Sequence, residues 1–294
     1  MMTKPIDVII DSDASNSADD QIAIAYALLS TDKINVKGIC ASPYVNENAT
    51  TPQDGMQKAY ACIKELLDLM GASEDVPLFN GSSSFLQSAF VPQRSEAADF
   101  MIRACEGYSE ENRLCILMLG AATNVASAIC LAPWILNKIR IVRLGGHVFS
   151  HPYNREYNMM QDIVAEQFVF RAALPLVQIP CEGVSNLLLI TKDEIERMLS
   201  TGASRIASYL FGGVAKHMSK RVPCSHSWSF PIWDLAAVAF LCNRNAAFMD
   251  SYETDRPDIG VDGKYVFGQN PFRETCVYKI RRDAIMNDLF EKIF

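Results

Sequence analysis

The chain has 294 residues, a net charge of −7 and a hydrophobic fraction of 49%, enough apolar material for one large core. The acidic balance, with no basic stripe, argues against nucleic acid and against an anionic membrane surface as partners. The opening MMTKPIDV has no apolar signal-peptide core and no stretch reaches membrane length, so a cytoplasmic protein is expected.

Residues 6–10 (Ile-Asp-Val-Ile-Ile) read as a short, buried parallel strand. They lead into Asp11 and Asp13, two apart and so on the same side of an extended chain. Residues 20–29 have helical spacing, with Ile22, Ala25, Tyr26 and Leu29 on one face, which puts Asp19 near the N-cap and Asp20 in the first turn. A strand is expected over 35–41, a polar loop over 42–55, a helix over 56–70, a short strand within 76–81 and a helix over 96–106. The strand at 113–119 runs into Gly120-Ala-Ala-Thr123-Asn124 and a helix that Pro133 stops. Another strand, 138–144, ends in Gly145-Gly146. A loop over 147–162, a helix over 163–172 and a strand over 176–180 follow. The last third is less regular, with helices near 192–200, 203–219 and 234–242 and strands near 263–267 and 274–280. This cadence predicts an α/β fold: an open, mostly parallel, doubly wound sheet flanked by helices, as one domain over 1–294. The nine cysteines (40, 62, 105, 115, 130, 181, 224, 242 and 276) are dispersed, none as CxxC, and read as buried reduced thiols.

The most informative feature is the density of acid at the first strand-to-helix turn. Asp11, Asp13, Asp19 and Asp20 fall within ten positions. Like charges repel, and helix capping accounts for one or two of them, not four. Carboxylates at the carboxyl end of a strand, where open α/β sheets keep their ligands, suit a hard cation such as Ca²⁺ or Mg²⁺. No Cys/His cluster nearby suggests zinc. Glycines at the other strand ends would let backbone approach a ligand, although turns explain them equally well, and Thr123 or Asn124 reads equally as an N-cap.

Taken in order, these elements resemble the inosine-uridine-preferring nucleoside hydrolases. The likeness runs through Asp11-x-Asp13…Asp19-Asp20, Leu119-Gly-Ala-Ala-Thr-Asn-Val-Ala, Leu144-Gly-Gly, Glu156-Tyr-Asn158 with Asp162, and Trp233-Asp234. The resemblance implies Ca²⁺ at the strand ends of a parallel α/β sheet and hydrolysis of the N-glycosidic bond of a ribonucleoside to free base and ribose. Asp13, Asp20 and Asp234 would ligate the metal by carboxylate and Thr123 by its backbone carbonyl, with Asp11 supporting the site from behind. Asp19 and Asn158 would hold ribose hydroxyls, with Glu156 on the sugar side. Asp13 would act as general base on the metal-bound water, and the bond would break through an oxocarbenium-like sugar stabilised by the nearby carboxylates. Homodimers or homotetramers are expected by the same analogy.

The chain also departs from the family pattern. The spacer between the acid pairs is two residues longer than the usual Asp-x-Asp-Pro-Gly-x-Asp-Asp and lacks its glycine. Trp233 stands where many members carry His as an acid for the leaving base. It resembles the purine-preferring branch, in which aromatic rings stack on the base, and reads equally as a core residue. The family's Gly-Asn after the second strand is missing, with Asn46 or Asn48 as candidates in its place. The loop carrying His147 and His151 does not match, and each of these reads first as a loop or core residue. His217, His226 and Trp228 flank the approach to Trp233. Two other readings stand beside the first: a ribose- or nucleoside-binding relative without hydrolysis, and a Mg²⁺-dependent phosphatase similar to haloacid dehalogenases, suggested by Ile-Ile-Asp11-Ser-Asp13.

Overall fold

A computed structural model describes residues 4–294 apart from 90, 201, 203 and 223–225, so Cys224 and the first residue of the helix expected at 203–219 lie outside the described residues. In chain order the elements are β1 Ile6–Ser12, α1 Asp19–Leu29, β2 Ile34–Ala41, α2 Pro52–Met70, β3 Leu78–Phe79, α3 Glu96–Ala104, β4 Leu114–Met118 and α4 Thr123–Leu131. Then come β5 Ile139–Leu144, α5 Tyr157–Gln161, α6 Ile163–Phe170, β6 Leu176–Ile179, β7 Leu189–Thr191, α7 Lys192–Ser200 and α8 Arg205–Arg221. The chain closes with β8 Ser229–Pro231, α9 Leu235–Cys242, β9 Met249–Asp255, β10 Asp258–Ile259, β11 Tyr265–Val266, β12 Arg273–Ile280 and α10 Arg282–Ile293.

Eight strands form one sheet in the order β3-β2-β1-β4-β5-β6-β12-β9. Every pairing in it is parallel except β12 with β9. The chain winds outward from β1 through β2 to β3, then returns to the other side of β1 and winds through β4, β5 and β6. The winding therefore reverses between β1 and β4, and the carboxyl ends of those two strands diverge into a crevice.

Side-chain alternation explains why this sheet is covered on both faces. Val8 and Ile10 of β1, with Cys115 and Leu117 of β4, pack into a core shared with α1, α2, α8, α9 and α10. Ile9, with Leu114, Ile116 and Met118, packs on the opposite face with α3, α4 and α6. Each large side chain taken out of water here contributes about 1.5–3 kcal/mol. The helix α1 is buried from Ile22 through Ala27, not along one stripe as its spacing suggested, because α9 and α10 pack against it in addition to the sheet.

Several elements differ from the sequence reading. Helix α2 begins at Pro52, not 56: Thr51 caps it by accepting the Asp54 amide, and Pro52 sits in the first turn, where a missing N–H costs nothing. Helix α5 falls within the expected 147–162 loop, and strands β7, β8, β9 and β10 and helix α10 have no counterpart in the sequence reading. No described helix is long and apolar enough to cross a membrane. The eight described cysteines are all free, six of them buried and Cys62 and Cys130 half-buried.

Candidate active site

The acids of the first turn are held by strand ends, not spent on caps. Helix α1 starts after Ala18 with no side-chain cap, so Asp19 is not the N-cap that its position suggested. Asp234 stands at the N-cap position of α9 and makes no capping bond either. Both carboxylates are free for another purpose. Asp13 lies just past the end of β1 and lines an open cleft of about 920 Å³, together with Asp19, Asp20, Glu156, Asn158, Trp233 and Asp234.

The tightest group is Asp19, Asp20 and Asp234, whose carboxylate oxygens lie within 4.8 Å of one another. The Asp234 amide donates to Asp19 Oδ2 at 3.3 Å, and Ser12 Oγ donates to Asp20 Oδ1 at 2.6 Å. Asp19 Oδ1 and Asp234 Oδ1 are buried and have no hydrogen-bond partner among the described residues. Burial raises the pKa of all four acids. Asp20 is pushed up to about 7 by desolvation and then by the charge of Asp19, against the Ser12 bond, which lowers it. Asp13 and Asp234 are pushed well up by burial first and by the neighbouring Asp20 second. A set of buried oxygens, crowded, mutually repelling and partly unpartnered, is what a hard divalent cation neutralises. These residues fit such an ion.

Asp11 does not line the cleft. It is fully buried, and Asn124 Nδ2 donates to its Oδ1 at 2.8 Å. The same Asn124 accepts at its Oδ1 from the Ser82 amide at 2.8 Å and the Ser82 hydroxyl at 2.9 Å. Thr123 opens α4 without capping it, and its hydroxyl donates to Asp162 Oδ2 at 2.7 Å. Neither residue serves as an N-cap. Asp162 itself caps α6 through the Ala165 amide, which makes it structural. At the head of this turn a Cβ on Gly120 would meet the Cβ atoms of Ser42 at 2.8 Å and Asp13 at 3.2 Å, so only glycine lets the β4 end approach β1.

The second wall comes from the β5 end. Gly146 has a φ of +68, and a Cβ there would lie 2.2 Å from the Tyr265 hydroxyl. Its amide donates to Glu156 Oε2 at 3.1 Å. Glu156 also caps α5, accepting from the amides of Asn158 at 2.8 Å and Met159 at 3.0 Å. Asn158 is fixed in turn by its side-chain bond to the Leu119 carbonyl. Beneath them Arg143, 1% exposed, pairs with the equally buried Glu166 and lies 3.8 Å from Glu156.

Several lining residues were missed or left open by the sequence. Asn46 and Asn48 both line the cleft. Asn46 reaches Asn16 at 3.0 Å, and Asn16 reaches Asp13 Oδ2 at 3.1 Å. The long spacer closes without glycine because Ser15 adopts a φ of +89, its hydroxyl 2.8 Å from that of Tyr44. Trp233 is half-buried on the cleft wall and meets Phe230 edge-on at 5.9 Å. His147 is buried on the cleft, its Nδ1 within 3.1 Å of the Gly146 carbonyl and 3.3 Å of the Glu182 amide. His151 and the exposed His226 do not line the cleft, nor does Trp228, whereas His217 of α8 does.

The fold and the site define an α/β protein with a carboxylate centre at its topological switch point. The family model of the inosine-uridine preferring nucleoside hydrolases matches residues 8–276. The chain belongs to that family, whose members are hydrolases acting on the N-glycosyl bonds of ribonucleosides. It is 25% identical over 297 residues to the pyrimidine-specific ribonucleoside hydrolase RihA of Enterobacter sp. (strain 638), a match covering 89% of this chain and 86% of that one. It is 26% identical over 226 residues to an uncharacterized protein of Schizosaccharomyces pombe, covering 68% of this chain and 65% of that protein. The fold is shared with a purine-preferring ribonucleoside hydrolase from Gardnerella vaginalis, with a TM-score of 0.74, 22% identity and 98% of each chain covered. The family match leaves the phosphatase reading without support.

Proposed function

We propose that the protein hydrolyses a ribonucleoside to free base and ribose in a Ca²⁺-dependent reaction. One observation carries this reading: Asp13, Asp19, Asp20 and Asp234 share a cleft of about 920 Å³ with Glu156, Asn158 and an aromatic wall, room enough for a sugar and a base. Asp13, Asp20 and Asp234, with the carbonyl of Thr123, would hold the cation. The cation would supply Lewis acidity that makes a water more acidic.

The chain's own residues do the rest. Asp13 takes the proton of the attacking water as general base. Asp19, its Oδ2 tied to the Asp234 amide, keeps Oδ1 for a ribose hydroxyl. Asn158 and Glu156, both fixed by backbone bonds, hold the rest of the sugar and stabilise the positive charge that grows on it. Asp11 braces the turn through Asn124. Trp233 offers a face on which the base stacks. Residence in a reducing cytoplasm fits the eight free cysteines, and assembly as a homodimer or homotetramer rests on family likeness alone.

A broad panel of ribonucleosides with Ca²⁺ tests the reading. Ribose should appear from at least one, and Asp13→Ala should abolish its release without unfolding the protein. No ribose from any member of the panel refutes hydrolysis. Calorimetric binding without release would assign the chain to the non-hydrolytic alternative.

A further inference from the structure

The substitution of Trp233 for histidine leaves a chemical need unmet beside Asp234. When the C1′–N bond breaks, its electron pair goes to the base, and a tryptophan stacked on the base by its ring face aims no N–H donor at it. The cleft wall beyond Trp233 supplies another group. His217 projects from α8 into the cleft, and its ring packs edge-on against Phe230 at 5.5 Å. Phe230 in turn meets Trp233, so the three rings form one continuous wall. His217 Nε2 is buried and has no hydrogen-bond partner among the described residues. A buried, unpaired ring nitrogen is costly unless a ligand completes it. Lys216, Lys220 and Arg221, exposed on the same helix, also line the cleft and make this side electropositive.

We propose that His217 contacts the leaving base, its ring N–H donating a hydrogen bond to the heteroatom on which the departing electron pair accumulates. The inference rests on the ribonucleoside hydrolase reading and assigns its leaving-group side. The water oxygen bonds to C1′, the water's proton goes to Asp13, and the C1′–N pair leaves with the base. The base departs as a hydrogen-bonded anion and takes its proton from solvent on release. A neutral donor serves this step. Burial of the ring, with Arg221 and Lys220 beside it and Asp19 and Glu47 opposing them, holds His217 below the ordinary histidine range.

The test compares a ribonucleoside with 4-nitrophenyl β-ribofuranoside, whose leaving group departs as a stable anion and needs no donor. In His217→Ala the ratio of kcat/KM for the nucleoside to that for the nitrophenyl riboside should fall about a hundredfold, the size of effect seen when one donor to developing negative charge is removed. His217→Gln, which keeps an N–H donor, should recover part of the ratio. The ratio is independent of how much of the variant is folded. Equal losses on the two substrates, or no loss on the nucleoside, overturn the inference while leaving hydrolysis standing. A wild type that cleaves neither substrate overturns both.

Discussion

Chelation should invert the usual dependence of stability on pH. In the cation-free protein, Asp20 titrates at about 7 against an ordinary value of 3.8, because burial and then the charge of Asp19 oppose its ionisation. Asp13 and Asp234 are displaced in the same direction, by burial first and by Asp20 next. Folded-state pKa values above the unfolded ones mean that the folded state holds these protons more tightly. Their contribution is fully present below about pH 4 and is lost as pH rises through about 7. Each such group costs roughly 1.4 kcal/mol per pH unit within that window, so Asp20 alone costs about 3 kcal/mol between pH 5 and 7. His147 and His217, both lowered by burial, act with the opposite sign below about pH 6.5. They are present in both forms, so comparing cation-loaded with chelated protein removes their part. A cation held among Asp13, Asp20 and Asp234, as proposed, would replace proton binding as the neutralising event. Saturating Ca²⁺ should therefore raise stability by about 3 kcal/mol more near pH 8 than near pH 5. That is about 6 °C or more in the difference between the two Tm shifts. Thermal melts in Ca²⁺ and in EDTA at both pH values check this. A shift that is equal at the two pH values, or larger at the acidic one, refutes the assignment of the carboxylates to a cation.

Arg143→Met should destabilise the protein by roughly 3–5 kcal/mol, because it leaves Glu166 buried at 1% exposure with its cation gone. Denaturant titration measures the loss, and a neutral result would mean that Glu166 is already protonated in the native state. Gly212→Ala, inside α8 and with nothing within 4 Å of the added Cβ, should stabilise by up to about 1 kcal/mol, read as a raised Tm. Loss of stability there would show that the glycine pair in α8 is needed for the helix to lie as it does.

What the sequence revealed of the fold followed from burial. Strands β1 and β4 lie inside a two-faced sheet, so they read as nearly continuous apolar runs, and the residues that break those runs mark the strand ends where the site sits. Strand β9 was silent for the complementary reason. It is the antiparallel edge of the sheet, its residues from Ser251 to Asp255 are mostly exposed, and Met-Asp-Ser-Tyr-Glu-Thr-Asp carries no periodic apolar signal. Helix α2 announced its start at Thr51-Pro52, a cap and a first-turn proline, within what composition marked as a polar loop.

The site divides along the same line. Four acids in ten residues are conspicuous because nothing in a turn requires them. Their supports are not, because Ser12 and Asn124 are ordinary polar residues until the fold brings Ser12 within 2.6 Å of Asp20, and Asn124 within 2.8 Å of Asp11, 113 positions away. His217 is the harder case. On α8 it lies among Lys216, Lys220 and Arg221, a pattern that on most helices marks the solvated face. Here that face closes a cleft instead, because β8 and the turn at Trp233-Asp234 carry Phe230 up against it. Periodicity reports which side of a helix is polar, but it cannot distinguish a face that meets solvent from one that meets a substrate. That distinction comes from the surfaces packed around the helix, so leaving-group chemistry is the part of a site such as this that only the three-dimensional arrangement discloses.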